Sequence, residues 1–143
     1  MIVESTRFGS FEVDEARSIE FSEGIMGFPG STRYVIVEVE ESPYSWLQSL
    51  DEAEVAFLTV EPWAFYPDYD LELSAQHQDE LAITSPDQTA VLVLLTVHRA
   101  DGADDVELTA NLLGPVVINS ESRAARQVVL EKTPYTTREP LVA

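Results

Sequence analysis

Short runs of alternating apolar and polar residues, separated by turn residues, make up most of this sequence. Successive side chains of a β-strand point to opposite faces, so such alternation is typical of half-buried strands. Many short strands at regular spacing predict an all-β, mainly antiparallel fold, either a small barrel or a sandwich. The strands are predicted at residues 11–14, 18–21, 34–40, 55–60, 69–73, 89–99, 106–112, 116–118 and 127–130.

The longest of these runs, residues 89–99, carries no Lys, Arg, Asp or Glu before its last residue. Periodicity alone does not separate a buried strand from a buried helix. The Val and Thr content of the run, and the turn signal Ser85-Pro86-Asp87 before it, favour a strand.

Two short helices are predicted among the strands. Ser42 and Pro43 offer an N-cap followed by proline at the first helical position. Trp46, Leu47 and Leu50 then share one helical stripe, which predicts a helix over residues 42–50. A second short helix is predicted within residues 74–81.

The length of 143 residues predicts one domain, residues 1–143. The longest apolar run, residues 90–95, is far shorter than the roughly 20 residues that a membrane helix needs. The first residues, Met-Ile-Val-Glu, do not predict a basic, cleavable leader, and the sequence has no cysteine for disulfides or thiolate metal sites. We therefore expect a cytoplasmic protein.

The charge of the chain excludes further classes of partner. It has 26 acidic and 8 basic side chains, a net charge of −18. Nucleic acids and anionic membranes need a basic surface, so neither is expected as a direct partner. Residues 34–98 hold 13 acids and no Lys or Arg, whereas residues 106–143 are neutral. This middle segment is either a solvated, salt-adapted surface or a docking surface for a basic partner.

No pattern of residues predicts a catalytic, cofactor or metal site. His77 and His98 lack any ligand spacing, which indicates isolated side chains. Residues 68–72 resemble the start of a calcium loop, but Leu73 stands where glycine is required and Asp79 where glutamate is required. We therefore expect no cofactor and no enzyme activity.

Three phrases occur in a characteristic order: Gly24-Ile25-Met26-Gly27-Phe28-Pro29, then Ser45-Trp46-Leu47-Gln48-Ser49-Leu50, then the segment 108–119, Leu-Thr-Ala-Asn-Leu-Leu-Gly-Pro-Val-Val-Ile-Asn. Together they resemble the FliW family of flagellar assembly factors over about residues 7–140. Two local departures are the pair Leu113-Gly114 and the segment 123–126, which lacks the usual glycine.

The resemblance implies a small, barrel-like, all-β cytoplasmic protein that is monomeric when free. It also implies two protein partners. One is newly made flagellin, and the other is CsrA, an RNA-binding regulator that represses translation of flagellin mRNA. The partners compete, so export of flagellin frees the FliW-like protein to sequester CsrA and to restore translation.

Candidate residues follow from the charge map and from these phrases. The acids near residues 38–41 and 51–54 suit a basic partner. In the first predicted helix, Trp46 is expected to anchor the helix to the barrel, and Gln48 is expected on its exposed side. The aromatic cluster around Trp63 is either core or a binding hot spot. Asn111 and Asn119 bind either a partner or backbone groups at strand ends. Partner contacts are predicted for Glu38, Glu40, Glu41, Gln48, Asp51, Glu52, Glu54, Trp63, Phe65 and Asn111. Structural roles are predicted for Gly24, Gly27, Phe28, Pro29, Trp46, Leu47, Pro115 and Asn119.

The sequence also allows two other interpretations. A salt-adapted acidic β-barrel would bind some other basic protein or peptide. A hydrolase would use two carboxylates that the fold brings within about 5–10 Å of each other.

Overall fold

The computed structural model describes residues 1–99 and 106–141. This part of the chain contains one α-helix, α1 (Ala75–Glu80), and three 3-10 turns, Glu15–Arg17, Pro62–Ala64 and Pro86–Gln88. Its eleven strands are β1 (Ile2–Ser5), β2 (Gly9–Glu12), β3 (Ile19–Phe21), β4 (Arg33–Glu38), β5 (Tyr44–Ser49), β6 (Ala56–Val60), β7 (Thr89–Arg99), β8 (Val106–Ala110), β9 (Val116–Asn119), β10 (Ala124–Gln127) and β11 (Glu139–Pro140).

Seven of the strands form a closed barrel. Their order is β7-β6-β5-β4-β3-β10-β9, and β9 pairs back onto β7. Every pairing is antiparallel except that of β3 with β10, which is parallel. Strands β8 and β11 extend the sheet beyond β7, and β1 and β2 form a separate hairpin. The predicted all-β, mainly antiparallel, barrel-like fold is confirmed.

Two apolar clusters lie on opposite faces of the barrel wall. Leu92 belongs to a cluster drawn from the barrel strands, together with Phe21, Tyr34 and Leu47, and this cluster fills the barrel. The next residue, Val93, belongs to the second cluster, which packs the segments after β6 and β10 against the outer face of the wall. Burial raises the pKa of the Tyr34 phenol to about 12.

The run at residues 89–99 is a strand, as its composition predicts. Residues 89–92 of β7 pair with β9, Val93 and Leu94 pair with β6, and residues 95–99 pair with β8. The second predicted helix is also confirmed. Ser74 caps α1, because its Oγ accepts a hydrogen bond from the backbone N–H of His77 at 3.2 Å.

The predicted helix over residues 42–50 is wrong, because this segment forms β5 between β4 and β6. Ser45, Leu47 and Ser49 alternate with Tyr44 and Trp46, and the first three are buried. The buried serine hydroxyls have partners: the Oγ of Ser45 lies 2.7 Å from the Oγ1 of Thr59. Because two of the inward-facing residues are serines, the alternation of apolar and polar residues that marks a strand was not visible in the sequence.

Two predicted strands also differ from the structure. Residues 69–73 form no strand, although Leu71 and Leu73 are partly buried while Asp70 and Glu72 are exposed. The alternation therefore marks the side chains that face the outer apolar cluster, although residues 69–73 do not pair with another strand in the described part of the chain. The strand predicted at residues 127–130 lies three residues earlier, as β10.

Candidate partner-binding surface

A cavity of about 440 Å³ opens beside the turn between β4 and β5. Its base is formed by Ile36, Leu92 and Ile118, which pack with the cluster inside the barrel. Acidic side chains stand around its opening. We call this cavity the acidic mouth, and its carboxylates are those of Glu38, Glu40, Glu41 and Glu61.

The turn that carries these acids is held by its own backbone and by one serine. The N–H of Val39 donates to the carbonyl oxygen of Tyr44 at 3.1 Å. The Oγ of Ser42 donates to the carbonyl oxygen of Val39 at 2.9 Å and accepts from the N–H of Tyr44 at 3.2 Å. Glu41 adopts a left-handed φ of 58°, which makes the chain reverse tightly. The turn therefore presents its carboxylates from a fixed backbone.

The ion-paired residues in the described part of the chain do not line this cavity. These ion pairs join Arg33 to Asp51, and Arg126 to both Glu23 and Glu80. The mouth carboxylates thus have no cationic partner within the described part of the chain. Glu38 also lines a neighbouring cavity with Arg17 and Arg123, so the carboxylates most available to an external Lys or Arg are those of Glu40, Glu41 and Glu61.

The second predicted acidic group lies at the other end of β5, in the loop from Leu50 to Val55. Six residues of strand separate the two groups, a span of roughly 17 Å. The sequence prediction did not foresee this separation, since it placed a helix here. The two acidic groups are therefore distinct surfaces.

Within that loop, Asp51 and Glu52 already have partners in the fold. Asp51 accepts hydrogen bonds from the backbone N–H groups of Thr32 at 2.9 Å and of Arg33 at 3.0 Å, and it pairs with the Arg33 side chain. Burial raises the pKa of the Asp51 carboxyl, but these hydrogen bonds and the Arg33 charge outweigh burial, so the pKa lies below its usual value. Glu52 accepts a hydrogen bond from Ser31. Glu54 is exposed.

The aromatic residues near position 63 serve both core and surface. The side chain of Phe65 is half-buried and lies against Tyr44, with 6.0 Å between ring centroids. Trp63 is 44% exposed, and its Nε1–H donates to the carbonyl oxygen of Tyr69 at 2.9 Å. That bond fixes the indole at the border of a second cavity of about 350 Å³. We call this cavity the apolar groove, and its apolar lining is Trp63, Leu71, Leu73, Ile83, Pro86 and Val91.

The expectation that Gln48 is exposed is wrong, because its side chain is fully buried. Its Oε1 accepts from the hydroxyl of Ser5 at 2.8 Å, and its Nε2 donates to the carbonyl oxygens of Ser49, Ala53 and Val55. Gln48 thereby joins the β1–β2 hairpin to the β5–β6 loop. It offers no surface to a partner in this structure.

Trp46 does not anchor a helix, since it lies in β5. Its ring is half-buried beneath the N-terminal hairpin, where the Arg7 guanidinium lies 4.1 Å from the ring centroid. Phe8 packs edge-on against the same ring at 6.1 Å. Trp46 therefore helps to hold the hairpin on the barrel.

The two asparagines of the 108–119 phrase bind backbone groups beside their strands. Asn111 follows β8, and its Oδ1 accepts from the N–H of Gly114 at 2.8 Å. Asn119 ends β9, is buried, donates to the carbonyl oxygen of Leu81 at 2.8 Å, and accepts from the N–H groups of the two residues after Ser120. Pro115 is buried between β8 and β9, and Leu47 is fully buried in β5.

The first phrase forms a loop between β3 and β4 that only glycine at its start permits. Gly24 has a φ of 69°, and a Cβ there would lie 3.0 Å from the carbonyl oxygen of Phe28. Gly27 has a φ of 88°. Phe28 is partly exposed and packs on Phe57 at 5.0 Å, next to exposed Pro29. In the segment that departs from the family pattern, Arg123 adopts a φ of 67°, a conformation that favours glycine.

The histidines have local roles. His77 lies in α1 with its Nδ1 2.9 Å from the Ser74 hydroxyl, and His98 lies in β7 with its Nε2 2.9 Å from that of Thr109. Among the residues that the structure describes, no group of His, Asp and Glu is arranged to hold a metal ion. Across the same residues, none of the helices has the length and apolarity to cross a membrane.

Sequence reasoning missed Glu61 and the apolar groove. Tyr44 pairs with Val60, so Glu61 follows β6 at the side of the β4–β5 turn. In the sequence, Glu61 is recognisable only as an acid that directly follows a predicted strand. The pairing register of β5 and β6 is what places it at the acidic mouth. The groove residues Leu71 and Leu73 were visible as alternation but were assigned to a strand.

These features define a class: a small, closed β-barrel with an acidic mouth and a neighbouring apolar groove. Comparison with known proteins narrows it. The family model described as FliW protein matches residues 2–141. The chain belongs to the FliW family of flagellar assembly factors, which confirms the resemblance found in its motifs.

Individual relatives agree with this assignment. The chain is 38% identical over 140 residues to the flagellar assembly factor FliW of Ruminiclostridium cellulolyticum, covering 96% of this chain and 92% of the relative. It is 39% identical over 142 residues to that of Moorella thermoacetica, covering 99% and 88%. A crystal structure of the flagellar assembly factor FliW superposes with a TM-score of 0.88 at 33% identity, covering 100% of this chain and 98% of the other.

Proposed function

We propose that this protein acts in the cytoplasm by binding flagellin and the regulator CsrA, and that it relieves repression of flagellin mRNA by CsrA. The observation that carries the proposal is the acidic mouth, whose four carboxylates lack a cationic partner within the described residues. Family membership supports a role in flagellar assembly. The protein acts as a binding partner and chaperone, without catalysis.

Electrostatics gives this proposal a physical basis. An RNA-binding regulator needs a basic surface to hold phosphates. An acidic protein is steered toward such a surface and then repels RNA from it. Screening limits the field to about 8 Å at physiological salt, so the carboxylates must dock close to the RNA path. The fixed β4–β5 turn is suited to this, because its acids project from one short segment.

Flagellin binding relies on apolar contacts. Unassembled flagellin has amphipathic terminal segments whose apolar faces need shielding before export. The exposed indole of Trp63 and the half-buried ring of Phe65 are the aromatic contacts that we propose for this role. Occupation by flagellin then withdraws the protein from CsrA, and repression returns.

A competition titration tests the proposal. Labelled CsrA is titrated with this protein in the presence and absence of flagellin, at about 0.1 M and about 1 M salt, where the Debye lengths are about 10 Å and 3 Å. We expect CsrA to bind, flagellin to displace it, and CsrA affinity to fall sharply at the higher salt. Failure to bind either protein contradicts the proposal and leaves a salt-adapted barrel with another basic partner.

Charge reversal locates the contact. Glu40→Lys together with Glu41→Lys should weaken CsrA binding at least about tenfold at low salt, since two attractive charges become repulsive. Glu107→Lys together with Glu131→Lys is the matched control, because both residues are exposed, both lie in the neutral C-terminal part of the chain, and the net charge changes by the same amount. Equal loss of CsrA affinity in the two variant proteins would show that net charge, and not the acidic mouth, governs binding.

A further inference from the structure

The apolar groove has the properties of a preformed docking site. Six apolar side chains line about 350 Å³ of open space, and the other lining residues are polar: Gln78, Thr84, Ser85 and Thr89. Trp63 is held by its hydrogen bond to Tyr69, so little rotational freedom is lost when a ligand contacts it. Tryptophan fixed at the border of a pocket is typical of binding hot spots.

Acidic residues dominate the segments that form the groove. Exposed carboxylates neighbour its lining residues in sequence: Asp70, Glu72, Asp79 and Asp87. The groove is built from residues 63–91, within the segment 34–98 that has no Lys or Arg. An apolar ligand with positive charges at its borders therefore complements the site, whereas an acidic ligand is repelled.

The backbone around the groove favours a helical ligand over an extended one. β6 pairs with β7 only at Val93 and Leu94, and beyond Val60 the 3-10 turn Pro62–Ala64 lies against β7. The other edge of residues 89–92 is paired with β9. Within the described part of the chain, the β6-side edge of residues 89–92 therefore has no paired strand and is bordered by the 3-10 turn, which an extended peptide would have to displace. A helix satisfies its own backbone hydrogen bonds and needs only to insert side chains.

We propose that the apolar groove binds one amphipathic helix whose apolar face is flanked by Lys or Arg. The helix inserts apolar side chains spaced three and four residues apart between Trp63, Leu73 and Ile83, and its basic residues face the acidic border. The inference rests on the proposed function, for which it supplies the surface that shields an amphipathic segment of flagellin.

Synthetic peptides test the groove directly. One labelled peptide carries leucines on one helical face with lysines on both sides of them, and a second replaces every lysine by glutamate. Fluorescence anisotropy measures their binding to the full-length protein. We expect the lysine peptide to bind at least about tenfold more tightly than the glutamate peptide. Absence of binding, or equal affinity for the two peptides, overturns the proposal.

Two variants of the protein test whether the lysine peptide binds in the apolar groove. Thr84→Arg puts a cation into the groove at an exposed position, and Thr96→Arg is the control, since Thr96 is exposed on β7 outside the groove. Thr84→Arg should weaken the lysine peptide about tenfold, whereas Thr96→Arg should bind it as the unmodified protein does. Circular dichroism checks that both variants fold. Unchanged affinity in Thr84→Arg overturns the proposal.

Flagellin retention separates this inference from the proposed function. If the unmodified protein and Thr84→Arg retain flagellin equally, the groove is not the flagellin site and the inference fails while the proposed function stands. If the unmodified protein retains no flagellin, the proposed function fails, and the peptide titration still decides whether the groove binds a basic amphipathic helix.

Discussion

Replacing Gln48 by leucine tests whether the buried amide joins two parts of the fold. Leucine fills a similar volume but leaves the Ser5 hydroxyl without its acceptor and takes a donor from three carbonyl oxygens. Two of those oxygens keep a backbone donor: Ala53 accepts from Thr6, and Val55 from Ser49. The cost therefore comes mainly from the Ser5 hydroxyl and from the Ser49 carbonyl.

Each buried polar group left unpaired costs about 1–3 kcal/mol, so Gln48→Leu should lower the free energy of unfolding by about 2–4 kcal/mol. For a chain of this size that corresponds to a fall in Tm of roughly 5–15 °C. Urea unfolding followed by circular dichroism gives the free energy, and an unchanged m-value shows that the compactness of both states is kept.

Two further proteins sharpen this test. Gln76→Leu is the control, because Gln76 is exposed on α1 and its side chain donates to exposed Glu80 at 3.2 Å; we expect it to cost less than about 0.5 kcal/mol. Adding Ser5→Ala to Gln48→Leu removes the hydroxyl that has lost its acceptor, but it also takes the acceptor from the backbone N–H groups of Arg7 and Phe8, so we expect no recovery of stability. A Gln48→Leu protein as stable as the Gln76→Leu control would refute the reasoning.

Three other substitutions have expected outcomes. Asn119→Ala should cost about 2–3 kcal/mol in urea unfolding, because a buried carbonyl oxygen and two N–H groups lose their partner; a smaller cost than that of Asn111→Ala would contradict this. Gly24→Ala should cost about 1–3 kcal/mol, since its φ is left-handed and the new Cβ meets backbone, whereas Gly9→Ala meets nothing within 4 Å and should cost less. Because the pKa of Asp51 is lowered by folding, its charge stabilises the native state above the unfolded pKa, and this stability is lost as the pH falls through the folded pKa. Asp51→Asn should flatten the acid limb of stability against pH, and an unchanged limb would show that other carboxyls dominate.

Much of the fold was predictable from local pattern. β7 was assigned over its full length because an uncharged, Val-rich run follows a Ser-Pro-Asp turn. Short α1 was predictable within its segment, where Ser74 provides the cap. In both places the local preference and the tertiary environment agree, which is why one sequence sufficed.

β5 was not predicted from the sequence, because its residues also fit the pattern of a helix. Ser42-Pro43 is a good helix start, and Trp46, Leu47 and Leu50 fit a helical stripe. Pairing with β4 and β6 overrides that preference, and hydrogen bonds satisfy the serines that face inward. Burial of polar residue types depends on partners far along the chain, so neither Gln48 nor the separation of the two acidic groups was visible in the sequence.

The parallel pairing of β3 with β10 has a consequence for how the protein is made. Phe21 of β3 lies opposite Ala125 of β10. The barrel therefore closes only when segments about a hundred residues apart in the sequence meet. Such non-local closure is slow compared with the local hairpins of β4, β5 and β6. The acidic mouth takes its base from β4, β7 and β9, so a nascent chain exposes the carboxylates early but gains the shaped cavity only after β9 has emerged. A chain truncated after residue 110 should therefore fail to retain the proposed basic partner in a pull-down, which would make partner binding a readout of completed synthesis.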